Sequence, residues 1–244
     1  MISDVFKYSL DYSLKDKISF IKISLLSILS FLIIPFIIIE GYCYRIIDIQ
    51  IKSFINANDS LPKFNNFKKF LIDGLKIITV NIIYSIPFVI VLIFGFNEII
   101  NVTKSGAVID INSGALIVIL LFIIGFISFL FSKVAIVHMV YKKSFKSAFK
   151  IREILNLIGE IKVINYLTFF IGFLILNLAI FIVFFLVIVF VTGLFQFNQI
   201  EISFYFFNLG LDITILILAY ILLAFPFIMI FESRAIASMY NLRE

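Results

Sequence analysis

The sequence predicts an all-α integral membrane protein, a helical bundle with six membrane spans. Hydrophobic residues make up 63% of the 244 residues and charged residues only 14%, and the mean hydropathy is +1.18. Soluble domains contain about 45–50% apolar and about 25% charged residues, so this composition would leave a large apolar surface in water. Several runs of about 18 or more residues carry no charge, which suits helices that cross about 30 Å of hydrocarbon.

Four apolar runs in the later part of the sequence predict the clearest spans. The third run stays uncharged as far as Ile200, which is too long for one span at about 1.5 Å per residue. Its end is therefore predicted near Val191–Gly193, and Leu194–Asn208 is predicted to be an aromatic segment at the membrane surface. The four runs are Ile77–Phe96, Ala115–Ser132, the run from Val163, and Ile213–Phe231.

The first apolar run, Ile18–Ile39, contains Pro35 and continues into a charged stretch that keeps helical apolar spacing. Proline lacks an amide donor and disfavours helical angles at the residue before it, which favours a break near Ile34. Two short spans, Ile18–Ile34 and Phe36–Phe54, follow from that break. A single span over the whole run and a re-entrant hairpin are the alternatives.

The distribution of basic residues favours an even number of spans with both termini in the cytoplasm. With six spans, every basic residue except Lys104 lies on the cytoplasmic side. With five spans, the four lysines near the N-terminus would lie outside. The predicted protein is thus a multi-pass protein of the cell membrane, and residues 1–17 are expected to form a short amphipathic helix at its inner surface.

Similar short motifs precede three of the apolar runs and predict an internal repeat. Leu75-Lys76-Ile77-Ile78 resembles Ile161-Lys162-Val163-Ile164, and Lys17-Ile18-Ser19-Phe20 is a weaker copy. A single membrane domain over residues 1–244 would then contain three helix hairpins, each preceded by an interfacial amphipathic helix. The corresponding repeat units are residues 1–58, 59–140 and 141–244.

No signature of catalysis or of a cofactor occurs in the sequence. A single cysteine and a single histidine exclude a metal site built from several cysteines and make a histidine cluster a poor prospect. No phosphate-binding loop, zinc-protease helix or nucleophile elbow is present. We therefore expect no enzymatic activity, no cofactor, no metal and no nucleic-acid partner.

Charged and polar side chains in and beside the second and last spans form the first candidate site. Charges at membrane depth are costly and usually pair or line a wet cavity. Glu40 is expected to pair with Arg234, and Glu232 with Arg45, if the first and last units pack together. A substrate or ion path, and arginines that extend to the inner interface, are the alternatives. The cluster comprises Glu40, Tyr42, Tyr44, Arg45, Asp48, Glu232 and Arg234.

Two segments rich in basic and aromatic residues form the second candidate site. Each cation at a membrane surface contributes about 1 kcal/mol to the attraction of anionic lipid. Both segments are therefore expected to contact the bilayer, through anionic headgroups, or a membrane or cytoplasmic protein partner. The alternative explanation is that these residues only set the orientation of the spans and anchor the segments at the membrane interface. The candidate headgroup contacts are Lys63, Lys68, Lys69, Lys146, Lys150 and Arg152.

Several motifs occur in the order found in one family of membrane proteins. Together they resemble the domain-of-unknown-function family 4013, polytopic membrane proteins of methanogenic archaea and some bacteria. The resemblance implies a helical membrane fold and supplies no catalytic residue. The motifs are Gly41-Tyr42-x-x-Arg45, Leu61-Pro62 with Phe64 and Phe67, Asp73-Gly74-Leu75-Lys76, Tyr84-x-x-Pro87, and the stretch from Ala148-Phe149 to Tyr166.

The leading functional hypothesis is a non-enzymatic membrane scaffold or assembly protein that holds anionic lipid or a partner at its basic inner face. The alternative is a small transporter or channel with a polar path near Glu40–Arg45. Tight packing with satisfied charges would favour the scaffold. A continuous wet cavity that reaches Glu40 or Arg45 would favour transport.

Overall fold

The computed structural model describes residues 2–57, 59–105, 111–195, 201–203 and 208–243. These residues are almost entirely helical, as predicted, with a small antiparallel pair of strands, β1 (Glu201–Ser203) and β2 (Asn208–Gly210). Short 3-10 turns occupy Leu29–Phe31 and Phe145–Phe149, and Tyr220–Ala224 is π-helical. The α-helices are α1 (Ile2–Ser13), α2 (Lys17–Ile28), α3 (Ile33–Ile51), α4 (Phe67–Ser105), α5 (Ile111–Lys142), α6 (Ile151–Ile161), α7 (Val163–Phe195), α8 (Leu211–Ala219) and α9 (Phe225–Tyr240).

Four helical stretches in the described part of the chain are long and apolar enough to cross a membrane. In each, only 11–22% of the most apolar window is buried inside the protein. Helices that expose so much apolar surface are stable in lipid and not in water, so these four stretches indicate a membrane protein. They are Phe67–Gly95, Leu116–Lys142, Val163–Val187 and Thr214–Tyr240, and each overlaps one of the four later apolar runs of the sequence.

The six-span count is not confirmed, because α2 and α3 differ from the four long helices. α2 has 12 residues, so its length is about 18 Å at 1.5 Å per residue, against about 30 Å of hydrocarbon. α3 has 19 residues and contains three charged side chains, Glu40, Arg45 and Asp48. The break between them lies at Leu29–Phe31, close to the predicted Ile34. Pro35 falls in the first turn of α3, where an amide donor has no helical acceptor.

The predicted aromatic surface segment, Leu194–Asn208, lies largely outside the described residues. Within it, residues 196–200 and 204–207 are not described. α7 continues to Phe195, slightly beyond the predicted end at Val191–Gly193.

Two compact units divide the chain, Met1–Leu75 with Ile158–Glu244, and Lys76–Leu157. In the first unit, α9 packs on both α1 and α3, and α2 contacts α3, α9 and the π-helical segment. In the second unit, α5 packs against the 3-10 turn at Phe145–Phe149. The division into three repeats stays a prediction.

The helix predicted near the N-terminus is present as α1, and Phe6 on its protein-facing side packs against Phe169 and Phe231. Val5, Ser9 and Tyr12 are buried, whereas Leu14, just beyond the end of α1, is 66% exposed. Small residues let helices approach closely, and Ser9 is fully buried in the helix that packs on α9.

Backbones touch where α3 crosses the start of α4 in the first unit. A Cβ atom on Gly41 would overlap the carbonyl oxygen of Phe70, and one on Gly74 would overlap the carbonyl oxygen of Ile37. Only glycine fits at either position. Membrane helices associate through such close van der Waals contact, because lipid provides no hydrophobic driving force between them.

Replacing Gly41 or Gly74 by alanine is expected to lower the melting temperature in detergent, because the methyl group must push α3 and α4 apart. Overpacking of this kind costs about 1–3 kcal/mol. The matched control is Gly159→Ala on α6, where a Cβ would meet nothing within 4 Å and alanine favours the helix by about 1 kcal/mol. Equal melting temperatures for the three variants would contradict the close crossing.

Candidate functional site

The loop between α3 and α4, residues 52–66, is the region where the functional candidates of the first unit converge. Side chains from both ends of the chain hold it. The Lys15 ammonium donates to the Asp59 carbonyl oxygen at 2.7 Å, and the Asn241 side chain donates to the Ser53 carbonyl oxygen at 3.1 Å. The α3–α4 loop is therefore an integral part of the fold, although it lacks regular secondary structure.

Arg234 of α9 is only 1% exposed and anchors the middle of the α3–α4 loop. One terminal nitrogen lies 3.3 Å from a carboxylate oxygen of Asp59, and the other donates to the Ala57 carbonyl oxygen at 3.0 Å. The guanidinium carbon lies 4.5 Å from the centre of the Tyr12 ring. A buried arginine is tolerated when its charge meets partners. The two terminal nitrogens of Arg234 do so, and Arg234 therefore ties α9 to both the loop and α1.

Arg45 of α3 anchors the end of the same loop in a different way. Its guanidinium carbon lies 3.6 Å from the centre of the Phe70 ring, a stacked cation–π geometry. Its terminal nitrogens donate to the Asn65 side chain at 2.7 Å and to the carbonyl oxygens of Lys63 and Asn66 at 3.3 and 3.2 Å. Asn66 has a φ of 59°, a left-handed conformation that asparagine tolerates better than most residues.

Phe64 of the loop and Phe70 of α4 cover α3 beside Arg45. The Tyr42 ring is 1% exposed and stacks on Phe64 with centres 4.5 Å apart. Phe70 is fully buried, and Leu61 belongs to the same apolar cluster. The spacing of these residues in the sequence thus reflects a loop that folds back onto the helix it has just left.

The two arginines have other partners than the glutamates that the sequence predicted. Asp59 takes the place expected for Glu40 beside Arg234, and Asn65 and backbone carbonyl oxygens surround Arg45. The reason is that the loop folds over α3 and brings its own acceptors to both guanidinium groups. Glu40 is buried on α3 at 9% exposure, and Glu232 is half-buried on α9.

Tyr44 and Asp48 lie further along α3 at its partly exposed end. Asp48 pairs with Lys52 one helical turn later, at 2.7 Å. Burial raises the pKa of Tyr44 to about 12. Asp59 is the site residue that the sequence missed, since its position before Pro62 indicated a turn and nothing about a distant arginine.

Clefts in the described part of the chain lie away from the predicted polar path. In the first unit, one of about 320 Å³ is lined by Tyr12, Lys15 and Asp59 among others. In the second unit, one of about 380 Å³ lies between α4 and α5. A third, of about 560 Å³, borders the loop near Asn241. Glu40 and Arg45 line none of these three.

The six predicted headgroup contacts are all exposed. In the first unit, three of them flank the start of α4. In the second unit, the other three surround the 3-10 turn at Phe145–Phe149, and Lys150 also pairs with Glu153 at 2.7 Å. Their positions leave the charged ends accessible to a ligand. The residues are Lys63, Lys68 and Lys69 in the first unit, and Lys146, Lys150 and Arg152 in the second.

A further polar contact in the second unit involves the lone histidine. His138 on α5 is 3% exposed, and its Nε2 atom lies 3.0 Å from the second carboxylate oxygen of Glu153. Hydrogen bonds from Lys150 and then His138 lower the pKa of Glu153 below its ordinary value. This contact joins α6 to α5.

A family model for proteins of unknown function, DUF4013, matches residues 28–192. The match covers two thirds of the chain. The chain belongs to this family. The DUF4013 region includes Gly41, Arg45 and Asp59, whereas Arg234 and α1 lie beyond it. Arg45 is therefore anchored entirely within the DUF4013 region, and Arg234 joins that region to the flanking helices. No curated protein and no solved structure matches the chain.

Replacing Asp59 by asparagine is expected to destabilise the protein, because Arg234 would keep its charge inside the fold without a counter-charge. We expect a loss of about 2 kcal/mol, less than for a fully buried pair because the Asp59 side chain is 31% exposed. Melting in detergent and trypsin cleavage after Lys52 and Lys63 would measure it. The control is Asp48→Asn, an exposed pair worth about 0.3–0.5 kcal/mol. Equal effects of the two substitutions would contradict the anchoring role of Asp59.

Glu153 predicts a pH dependence of stability in the second unit. Because its pKa is lowered in the folded state, its contribution is present above its ordinary pKa of 4.5 and is lost as the pH falls through the lowered value. Glu153→Gln should therefore lower the melting temperature at pH 7 and have little effect near pH 3. Glu160→Gln, an exposed carboxylate on the same helix, is the control. A constant difference across this range would oppose the assignment.

Proposed function

We propose that the protein is a non-enzymatic scaffold of the cell membrane that binds anionic lipid headgroups through its two basic segments. The observation that best supports this role is the division of its cations into two classes. Arg45 and Arg234 are occupied by partners inside the fold, whereas the lysines of the basic segments extend outward. The first class stabilises the fold, and the second class is available to a ligand.

The start of α4 has the character of an interfacial segment. Lys68 and Lys69 are exposed, and the neighbouring Phe67 and Ile72 are 53% and 49% exposed. These residues open the candidate span Phe67–Gly95, and the uncharged run begins at Ile77, eight residues after Lys69. The two lysines therefore precede the uncharged part of the span by about two helical turns. Basic and aromatic residues at that level attract headgroups and anchor a helix at the interface.

Packing around α3 supports a scaffold over a transporter. Glu40 and Tyr42 lie inside the first unit, and the Arg45 guanidinium is covered on one face by Phe70. A polar path through this region would require water in place of these contacts.

Orientation follows from the same proposal. Both termini are placed in the cytoplasm, and four spans leave the basic residues on the same side as six would. Lys104 alone would face outward, in agreement with the positive-inside rule. The basic segments would then meet the anionic lipids of the cytoplasmic leaflet.

Replacing Lys63, Lys68 and Lys69 together by glutamine tests the headgroup site. At about 1 kcal/mol for each cation, we expect phosphatidylglycerol to bind about 100-fold more weakly, as measured by native mass spectrometry or by lipid-induced stabilisation. The triple arginine variant, which keeps the charge, should bind phosphatidylglycerol normally. Phosphatidylcholine, which has no net charge, should bind equally to the parent protein and to both variants. Unchanged binding of phosphatidylglycerol to the glutamine variant would refute the site. Retention of a polar solute by the gently solubilised protein would favour transport.

A further inference from the structure

The α2 helix has its polar side against the protein and its apolar side outward, which is the reverse of a surface helix on a water-soluble protein. Its buried side carries Ser19, Ser24 and Ser27, which are 6%, 8% and 0% exposed. The hydroxyls of Ser24 and Ser27 donate to backbone carbonyl oxygens one turn earlier. Its outward side carries leucine and isoleucine. In water this arrangement would be unfavourable on both sides, whereas in lipid it satisfies the hydroxyls and exposes apolar chains to their preferred surroundings.

The apolar surface continues around the break between α2 and α3. Four consecutive residues there point outward, and together with the exposed leucine and isoleucine of α2 they form one apolar patch. The sequence carries no charge between residues 23 and 39. Patches of this extent on a protein surface mark contact with a membrane or another protein. The exposed fractions are 78% for Phe31, 50% for Leu32, 77% for Ile33 and 63% for Ile34, after 57% for Leu25 and 45% for Leu29.

The dimensions of the hairpin match one leaflet. Lys22 lies on the outward side of α2, and Leu32 follows ten residues later, about 15 Å away at 1.5 Å per residue. On the return path, Arg45 lies 13 residues beyond Leu32, about 20 Å away. Half of a hydrocarbon core of about 30 Å is about 15 Å, so a hairpin with its cations at the headgroups ends near the bilayer centre.

The last span provides the support for this hairpin within the first unit. α2 contacts both α9 and the π-helical segment Tyr220–Ala224, which interrupts that span part of the way along. Arg234 lies ten or more residues from the π-helical segment, about 15–20 Å along the helix axis. α2 therefore lies against both the interrupted part of the last span and α9, the helix that carries Arg234.

From these observations we propose that α2, the break at Leu29–Leu32 and the start of α3 form a re-entrant wedge that contacts the acyl chains of the cytoplasmic leaflet and ends near the bilayer centre. The acyl chains of that leaflet are the partner for the exposed apolar patch. The wedge depends on the membrane location and on cytoplasmic termini, and it is independent of headgroup binding by the basic segments.

Quenching by spin-labelled lipids tests the depth of the wedge. Leu32→Cys is labelled with an environment-sensitive fluorophore in detergent, and the full-length protein is reconstituted into phosphatidylcholine–phosphatidylglycerol vesicles. The parent chain is the blank, because its single Cys43 is buried. Phe54→Cys, at an 84% exposed position of the α3–α4 loop, is the shallow control.

We expect a nitroxide near the acyl-chain end to quench the label at position 32 at least twofold more than a headgroup nitroxide does. The order should reverse at position 54. An impermeant thiol reagent added to either side of the vesicles should leave Leu32→Cys unmodified. If Leu32→Cys fails to fold, Phe31→Cys and Ile34→Cys, exposed positions on either side, replace it.

Two results would overturn the wedge. Stronger quenching at position 32 by the headgroup nitroxide would place the hairpin at the interface or against a protein partner. Modification of Leu32→Cys by the impermeant reagent from the outer side would show two complete spans and restore the six-span topology. Neither result would alter the effect of the lysine substitutions on phosphatidylglycerol binding, so the two proposals can fail separately.

Discussion

The backbone contact between α3 and α4 is the constraint on which the first unit depends. Because Gly41 and Gly74 lack side chains, the two helices approach until carbonyl oxygens occupy the space of a Cβ atom. This approach brings Phe70 against α3 one turn before Arg45, so that its ring lies beneath the guanidinium group. The position of Arg45 then determines where the α3–α4 loop ends and where α4 begins.

The two arginines show how a membrane protein can hold charge without a row of acids. Arg45 is surrounded by a ring, an amide side chain and backbone carbonyl oxygens, and Arg234 by one carboxylate, one carbonyl oxygen and a ring. Neutral acceptors have a smaller desolvation cost than a carboxylate. Backbone carbonyl oxygens of the α3–α4 loop are available to the arginines because the loop forms no regular helix or sheet hydrogen bonds.

Much of the fold follows from the sequence, since length and charge decide whether a helix crosses lipid. The four long runs, the break near Pro35 and the helix at the N-terminus were all predicted on such local grounds. The glycine motifs were visible as well, but glycine does not identify the helix that approaches it. Ser9 was unpredictable for a related reason, because the inward side of a helix depends on its neighbour and on its solvent.

The candidate site was less accessible to prediction, because its contacts join distant parts of the chain. Arg234 could meet several acids according to sequence alone, and the choice of Asp59 depends on a loop that has no periodic pattern. The exposure of the basic segments was easier to foresee. Lysine is rarely buried without a partner, so position on the surface follows from residue type.

The contact between Arg234 and Asp59 has a consequence for biosynthesis. The two residues are 175 positions apart, and at about 5–20 residues per second synthesis of the intervening chain takes about 10–35 s. During that interval α3 and α4 can cross, since both glycines are already present, but the loop lacks its anchor from α9. Insertion of the last span therefore completes a structure begun near the start of translation. In an incompletely translated chain this loop would be accessible to cellular proteases, whereas in the finished chain its contact with α9 would protect it.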